Sequence, residues 1–385
     1  MLRVLVWLGQ FLVVAPSVYE ALISLAGLRT PEPATRVAPR IRVRAVVPAH
    51  DEASVIEGIA ADLAAQEYPD DLLESVVIAD RCTDDTARLA GDHVPVAIRS
   101  TGGGAKGAAI AWYLDAHPLS DEELLVILDA DNRIGPEFIA RIATAHEDGH
   151  DVIQAYLDVT NPDASAIALA NALTYWASNR SVQLARSNLG WSCDLGGTGM
   201  AVSGRALAAV EGVADDLTED LALNVRLNLA GYRAHFLHDV RVRDEKPVST
   251  DASVVQRARW VRGKRSVQKA YGASVVRRAV TRRDPALIDL AFRLFNPGRS
   301  FLALALVVLT IVAAVFPDAG LWPAVVLAPI TATVVLLPLA FLIVEGVPGR
   351  YLVRYPYVVI LALLWFPIRI ASRLIGGWRR TQHSG

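Results

Sequence analysis

Leu124-Leu125-Val126-Ile127-Leu128-Asp129-Ala130-Asp131 is a run of five apolar residues that ends in two carboxylates one residue apart. A short apolar run without alternation is the pattern of a strand buried on both faces, as in a parallel sheet. In open α/β sheets ligands bind at the carboxyl ends of the strands. Side chains at i and i+2 of an extended segment point the same way, so Asp129 and Asp131 are placed to share one ligand. Two hard oxygen anions side by side suit Mg²⁺ or Mn²⁺, with a nucleotide diphosphate supplying further ligands. The plainer alternative is an acidic turn ahead of a helix that starts near Gly135-Pro136.

Upstream, the same design repeats. Arg42 to Ala49 reads as a first strand that ends in His50-Asp51-Glu52, and Ser75 to Ala79 as a second that ends on Asp80. A helical stretch, Ser54 to Ala65, separates them, and Thr83-Asp84-Asp85-Thr86 starts another helix with capping chemistry. Val94 to Arg99 is a short third strand. Strands alternating with helices predict a doubly wound, parallel α/β sheet. Gly102-Gly103-Gly104-Ala105-Lys106-Gly107 matches the dinucleotide fingerprint, but that fingerprint belongs after a first strand and this one follows the third. A glycine loop presenting Lys106 to a phosphate or a base is one reading, and a plain loop is the other.

Beyond Asp131, Asp151 to Tyr156 reads as a strand and about 163–188 as a long helix. Gly196-Gly197-Thr198-Gly199 runs into an apolar segment, and Thr218-Glu219-Asp220 precedes a helix from Leu221 to Ala230. A helix N-cap with acidic first-turn residues accounts for Thr-Glu-Asp as readily as a catalytic Asp220 does. Tyr232 to Val242 reads as a late strand. On a helix Gln256, Arg259 and Trp260 share a face. There the guanidinium fork suits phosphate oxygens and the indole suits a sugar ring; an amphipathic basic helix at a membrane surface is the alternative.

Composition separates this middle from both ends. Of the 385 residues, 53% are hydrophobic, and the excess lies in the first ~28 residues and after about Arg299. About 20 apolar residues span a bilayer, so residues 1–28 read as a transmembrane helix. The Arg-rich stretch behind it, from Arg29 to Arg44, places the following domain in the cytoplasm and the protein in the cell membrane. The expected layout is a cytosolic α/β domain over 29–275, an interfacial amphipathic helix over 276–298, about three apolar helices over 299–375 and a tail over 376–385. Spans are expected at Phe301–Phe316, Leu321–Val344 and Tyr355–Ile368, the last with a re-entrant or interfacial helix as its alternative. The net charge of −2 gives no signal for nucleic acid. Two cysteines, Cys82 and Cys193, argue against a disulfide framework.

Taken in order, Pro48-Ala49-His50-Asp51-Glu52, Asp80 with Thr83 to Thr86, Lys106, Asp129-x-Asp131, Thr218-Glu219-Asp220 and Gln256-x-x-Arg259-Trp260 form one series. It resembles membrane-embedded family 2 glycosyltransferases of the cellulose, chitin and hyaluronan synthase type, over about residues 42–265. The layout looks most like the chitin-oligosaccharide synthases. The resemblance implies a GT-A-like nucleotide-diphospho-sugar transferase domain. It implies Glu52 and Asp80 on the uracil and ribose, and Lys106 near the base and phosphates. Asp129 would contact the nucleotide, Asp131 the metal, and Asp220 would be the general base. Gln256, Arg259 and Trp260 would bind the diphosphate and the acceptor sugar, and Glu219, Trp191, Gly197, Thr198 and Gly199 would border the acceptor. Asp51 stands where the family often has Asn, and Trp191 to Thr198 departs from the cellulose synthase loop. The implied reaction is inverting transfer from a UDP-sugar to a saccharide acceptor, giving a β-linkage by chain elongation, with a homo-oligomer as one way to complete a channel. Single transfer to a lipid carrier or glycolipid, and a non-catalytic nucleotide-sugar-binding subunit, are the alternatives.

Overall fold

The computed structural model describes residues 2–32, 39–213 and 218–359. The expected span from Tyr355 to Ile368 lies, beyond Val359, outside the described residues, as do the basic tail and Leu217.

Eight strands form one mixed sheet: β1 (Val43–Ala49), β2 (Leu73–Asp80), β3 (Val96–Arg99), β4 (Leu124–Ile127), β5 (Arg133–Ile134), β6 (Val152–Val159), β7 (Met200–Ser203) and β8 (Ala234–Asp244), in the order β3-β2-β1-β4-β7-β6-β8-β5. Strands β1 to β4 pair parallel with one another, as expected. The second half corrects the all-parallel reading: β7 runs antiparallel to both β4 and β6, and β5 antiparallel to β8. Met200 to Ser203 is too short and too apolar to declare its direction, because a strand buried on both faces reads the same either way.

The five apolar residues of 124–128 are fully buried and divide by the period of two. Leu125 and Ile127 enter one core with Val46, Ile78, Ile110 and Tyr156. Leu124, Val126 and Leu128 enter the other with Ala45, Val47, Ile56 and Val77. Each such side chain contributes about 1.5–3 kcal/mol relative to exposure, so this strand is fixed from both sides. The chain order reverses at β1, with β2 on one side and β4 on the other. The crevice above that reversal is where open α/β sheets bind ligands.

The helices are α1 (Leu2–Ser24), α2 (Ile56–Ala64), α3 (Thr86–Gly91), α4 (Lys106–Ala116), α5 (Phe138–Glu147), α6 (Ala166–Ser178), α7 (Ala185–Asn188), α8 (Gly204–Ala208), α9 (Glu219–Ala230), α10 (Thr250–Arg282), α11 (Pro285–Phe295), α12 (Arg299–Val315) and α13 (Ala324–Val344). The long helix expected over 163–188 is interrupted by a π-helical turn, Asn179–Leu184, between α6 and α7. Helix α10 packs on α9 and α11 through Val267, Val275 and Ala279, which meet Ala222, Val225, Leu287, Leu290 and Leu294. The apolar face of α11 therefore points mostly inward, while Ile288 and Phe295 remain about half exposed.

Two described helices are long and apolar enough to cross a membrane, Val6–Leu28 and Ala324–Val344. Helix α12 passes only together with α11, from which it is bent by 70°. Val14 of α1, Leu306 and Ala313 of α12 and Leu327 of α13 share a small core of their own.

Candidate active site

Four strand ends and two helix faces meet above β1 and β4. At β1, Asp51 takes a left-handed φ of 54°, and at β2 Arg81 does the same. Non-glycine residues adopt this region at a cost and cluster at functional sites. The Asp51 turn is tied to the next loop: Thr83 donates its backbone N–H to Asp51 Oδ1 at 2.6 Å, and Glu52 donates its own to Thr86 Oγ1 at 2.7 Å. The left-handed turn at Arg81 folds its guanidinium back on Asp80, with contacts of 3.0 and 2.7 Å, and Arg99 adds a third at 3.0 Å. The same two arginines hold the glycine loop: Arg81 reaches Gly102 O and Gly104 O, and Arg99 reaches Gly103 O at 2.7 Å. The loop that resembled a dinucleotide fingerprint is thus a strap pinned beside Asp80, and it delivers Lys106 to the first position of α4.

Lys106 joins two halves of the site. Its Nζ donates to Asp129 Oδ1 at 2.5 Å and to Gly197 O at 2.6 Å. Burial pushes this amine down, but Asp129, Glu219 and Asp220 outweigh it and hold it above its ordinary range. Gly197 has a φ of +81°, and a Cβ there would stand 3.3 Å from Asp220 Oδ2. One glycine therefore separates the carboxylate after β4 from the carboxylate that opens α9. Beneath them, Thr198 is buried and hydrogen-bonded to Asn132, and both Thr198 Oγ1 and Asn132 Oδ1 accept the Asp129 backbone N–H, at 3.0 and 2.8 Å. Gln154, fully buried on β6, fixes the glycine loop by donating to Thr198 O at 3.0 Å and accepting from Gly196 N at 2.8 Å.

The start of α9 is held from the other side. A Cβ on Gly263 of α10 would meet the Thr218 side chain at 2.2 Å, so the two helices touch backbone to side chain. Arg259 lies one turn before Gly263 and favours the charged forms of both Glu219 and Asp220, yet its own buried Nε donates to no described group. Burial, reinforced by Glu219, pushes the Asp220 carboxyl up to about 7. Burial likewise raises Glu219.

At the end of β8 lies Asp244, which the strand pattern stopped short of. Its Oδ2 accepts from Lys246 Nζ at 2.6 Å, whereas its buried Oδ1 has no described hydrogen-bond partner. Burial, then Asp129 and then Asp244, push the Asp131 carboxyl up to about 8. A crowd of hard oxygen anions with an unused buried lone pair has the composition of a Mg²⁺ or Mn²⁺ site. Among the described residues, however, the His, Cys, Asp or Glu ligand atoms that lie within 4.8 Å of one another as a group of three are those of Asp51, Cys82 and Asp84, whereas Asp129 and Asp244 are tied to Asp131 by their charge alone.

Gly199 packs on Val242 and Ala155, while Asp129, Lys106, Gly197, Thr198, Glu219, Asp220 and Arg259 gather in one cleft at the end of β4. Asp80 and Glu52 line its neighbouring strand ends. Trp191 does not join them through any described hydrogen bond: its backbone N–H goes to Arg186 O, and its loop is tied down by Arg293, which binds Asp194 and the Ser192 carbonyl. Gln256 and Trp260 are half-buried on α10. Asn132, Gln154 and Asp244 escaped the sequence reading, although Asp244 shares the strand-end position that singled out Asp80 and Asp129.

The model of the family described as "Glycosyltransferase like family 2" matches residues 39–263. The chain belongs to that family. It is a glycosyltransferase with a GT-A-like α/β fold, as the ordered motifs implied. Among curated proteins this family 2 glycosyltransferase is 26% identical over 243 residues to a beta-monoglucosyldiacylglycerol synthase from Synechocystis, covering 58% of this chain and 48% of that protein. It is also 26% identical over 235 residues to the beta-monoglucosyldiacylglycerol synthase of Nostoc, covering 57% and 48%. The chain therefore matches about half the length of these relatives. Among solved structures, the mannosyltransferase PcManGT from Pyrobaculum calidifontis, in complex with GDP-Man and Mn²⁺, has a TM-score of 0.57 at 21% identity. The likeness covers 94% of this family 2 glycosyltransferase and 99% of that chain.

Proposed function

We propose that this family 2 glycosyltransferase moves a sugar from a UDP-sugar to the hydroxyl of a lipid acceptor, with inversion at the sugar carbon. The observation that carries the reading is the single glycine between donor-side and base-side groups: Lys106 bridges Asp129 and Gly197 O, and Asp220 lies against Gly197. Displacement at one carbon needs a leaving group on one face and a base on the other, and this arrangement holds both within a few ångströms. Asp129, Asp131 and Asp244 would hold the divalent cation, which when bound supplies positive charge to the donor diphosphate. Lys106 and Arg259, with its unused Nε, add fixed positive charge where the nucleotide leaves. Asp220 accepts the acceptor's hydroxyl proton; the hydroxyl oxygen forms the new bond to the sugar carbon as the bond to the diphosphate breaks, and the electron pair leaves with UDP. Glu52 and Asp80 sit at the strand ends where a nucleoside lies in open α/β sheets, and Gly199 with Thr198 shapes the acceptor side. Trp191, Gln256 and Trp260 belong to the wall of the acceptor path.

The lipid acceptor is favoured by the relatives, which are beta-monoglucosyldiacylglycerol synthases, and by the apolar helices α1 and α13 flanking the domain. Elongation of a saccharide is the second reading, favoured by Gln256, Arg259 and Trp260 on the helix that packs against α9. UDP release by the full chain in detergent or nanodiscs, with Mg²⁺ or Mn²⁺, across a panel of UDP-sugars and with product sizing, tests both. One glycolipid product, lost in Asp220→Asn, supports the first reading; a ladder of saccharides supports the second; silence with every donor and acceptor overturns the proposal.

A further inference from the structure

A cavity of about 360 Å³ lies away from the catalytic cleft, between α1, α6, α12 and α13. That volume falls within the ~300–1,000 Å³ of small-molecule sites. Its walls are apolar over most of their area and come from the helices with membrane-spanning composition. Along α12 the lining runs from Arg299 to Val307, about 12 Å at 1.5 Å per residue, and along α13 from Val334 to Phe341. The space is therefore a slot, deep along two apolar helices and polar at one end.

The polar end is charge-balanced. Arg299 donates to Ser181 Oγ at 2.8 Å and lies 3.6 Å from Glu20. Glu20 is also bound by Arg186, whose second partner is Asp289. No net charge is left over to attract an anionic or cationic head, and a buried unpaired charge would be costly there. The serine hydroxyls at the rim and the balanced pairs suit an uncharged, hydroxyl-bearing head above a hydrocarbon chain.

One wall of the slot leads toward α10. Thr174 of α6 lines it. Asn171, one turn away and on the same helix face, accepts from Arg257 Nη2 at 2.8 Å. One turn is about 5 Å along the axis, and Arg257 stands on α10, the helix that carries Arg259 on another of its faces. A chain lodged in the slot would therefore lie about one turn of α6 away from that helix.

We infer that this slot binds the hydrocarbon chain of an uncharged lipid alcohol, the acceptor of the transfer. This rests on the lipid-acceptor reading above and adds the place and the charge class of the acceptor. The tests use the full chain in nanodiscs. The ratio of kcat/KM for a long-chain neutral diacylglycerol to that for a short-chain, water-dispersed analogue with the same head is measured in the wild type, Ala303→Phe and Thr174→Phe. Both substitutions fill the slot from different helices, and the ratio is expected to fall at least tenfold in each. Ala303→Leu should give a smaller fall in the same direction, which keeps the test open if the larger residue prevents folding. A diazirine-bearing acyl chain on the neutral lipid should label α12 or α13 residues of the slot in the wild-type protein. An unchanged ratio in all variants, or labelling confined to the outer helix faces, overturns the slot while leaving lipid transfer standing. Better turnover of a polyprenyl phosphate than of the neutral lipid overturns the charge class. Transfer only to soluble saccharides removes the lipid-acceptor reading itself.

Discussion

Two clusters of buried charge lie in this molecule, and they are built on opposite rules. The junction between α1, α7, α11 and α12 holds Glu20, Asp194 and Asp289 against Arg186, Arg293 and Arg299, three anions for three cations, closely paired. The catalytic cleft gathers Asp129, Asp131, Glu219, Asp220 and Asp244 around Lys106, Lys246 and Arg259, five anions for three cations. In the junction Asp289 is held below its usual range: burial alone would raise it, but Arg293 and Arg186 outweigh burial. In the cleft Asp131 and Asp220 are pushed up. Burial pushes each of these carboxyls up, and the net shifts are opposite because one set is electrically complete and the other is short of positive charge. The first has the character of a structural tie, and the second that of a receptor for cations and for a proton.

The comparison breaks most clearly under single substitutions. Asp220→Asn should lower kcat by about 10²–10⁴, as loss of a general base does, with donor affinity and melting temperature nearly unchanged; turnover within twofold of wild type would remove Asp220 from the role. Arg186→Met should act the other way. Removing one partner of a buried pair typically costs ~3–5 kcal/mol, seen as a large fall in thermal or denaturant midpoint, and Arg186→Met with Asp289→Leu should recover part of it. Gly197→Ala sits between the two cases: its φ of +81° and the 3.3 Å approach of Asp220 Oδ2 predict ~1–3 kcal/mol of strain and a shift of Asp220, read as reduced kcat together with modest destabilisation. The mildest probe is pH. A base pushed up to about 7 is protonated below that value, so kcat/KM should rise with pH and level off above about 7, with the acidic limb shared by the Glu219–Asp220 pair. A profile flat from pH 5 to 9 would contradict the raised carboxyl.

Strand ends carried most of what the sequence made legible. Asp80, Asp129 and the Asp51-Glu52 turn were readable because a buried strand has to stop where its ligand begins, and the change from apolar to acidic marks the place. Lys106 was readable only as a cation after glycines; that its partners are Asp129 and Gly197 depends on the crossing of two loops 91 residues apart. The antiparallel course of β7 was hidden because a fully buried strand has no polar face to set its direction. Gln154 and Asn132 were hidden for a related reason: a single amide inside an apolar run looks like an exception until its backbone partners are known. The interruption of the 163–188 helix by a π-turn left no sign in the apolar period, since it adds one residue to a turn without a proline or glycine at the break.

Gly27 deserves a last consequence. A Cβ there would stand 2.1 Å from the Arg180 carbonyl oxygen, and Arg180 itself binds Gly27 O, Thr30 and Glu345 at the end of α13. The first apolar helix is therefore bolted to the catalytic domain through Arg180. With α1 and α13 in a bilayer, the cleft would ride at one fixed height and tilt, unable to lean out toward the aqueous phase. A lipid acceptor, as proposed above, would then be met in two dimensions, and the rate would follow the mole fraction of that lipid in the membrane surface, with vesicle concentration having little influence once the protein is embedded.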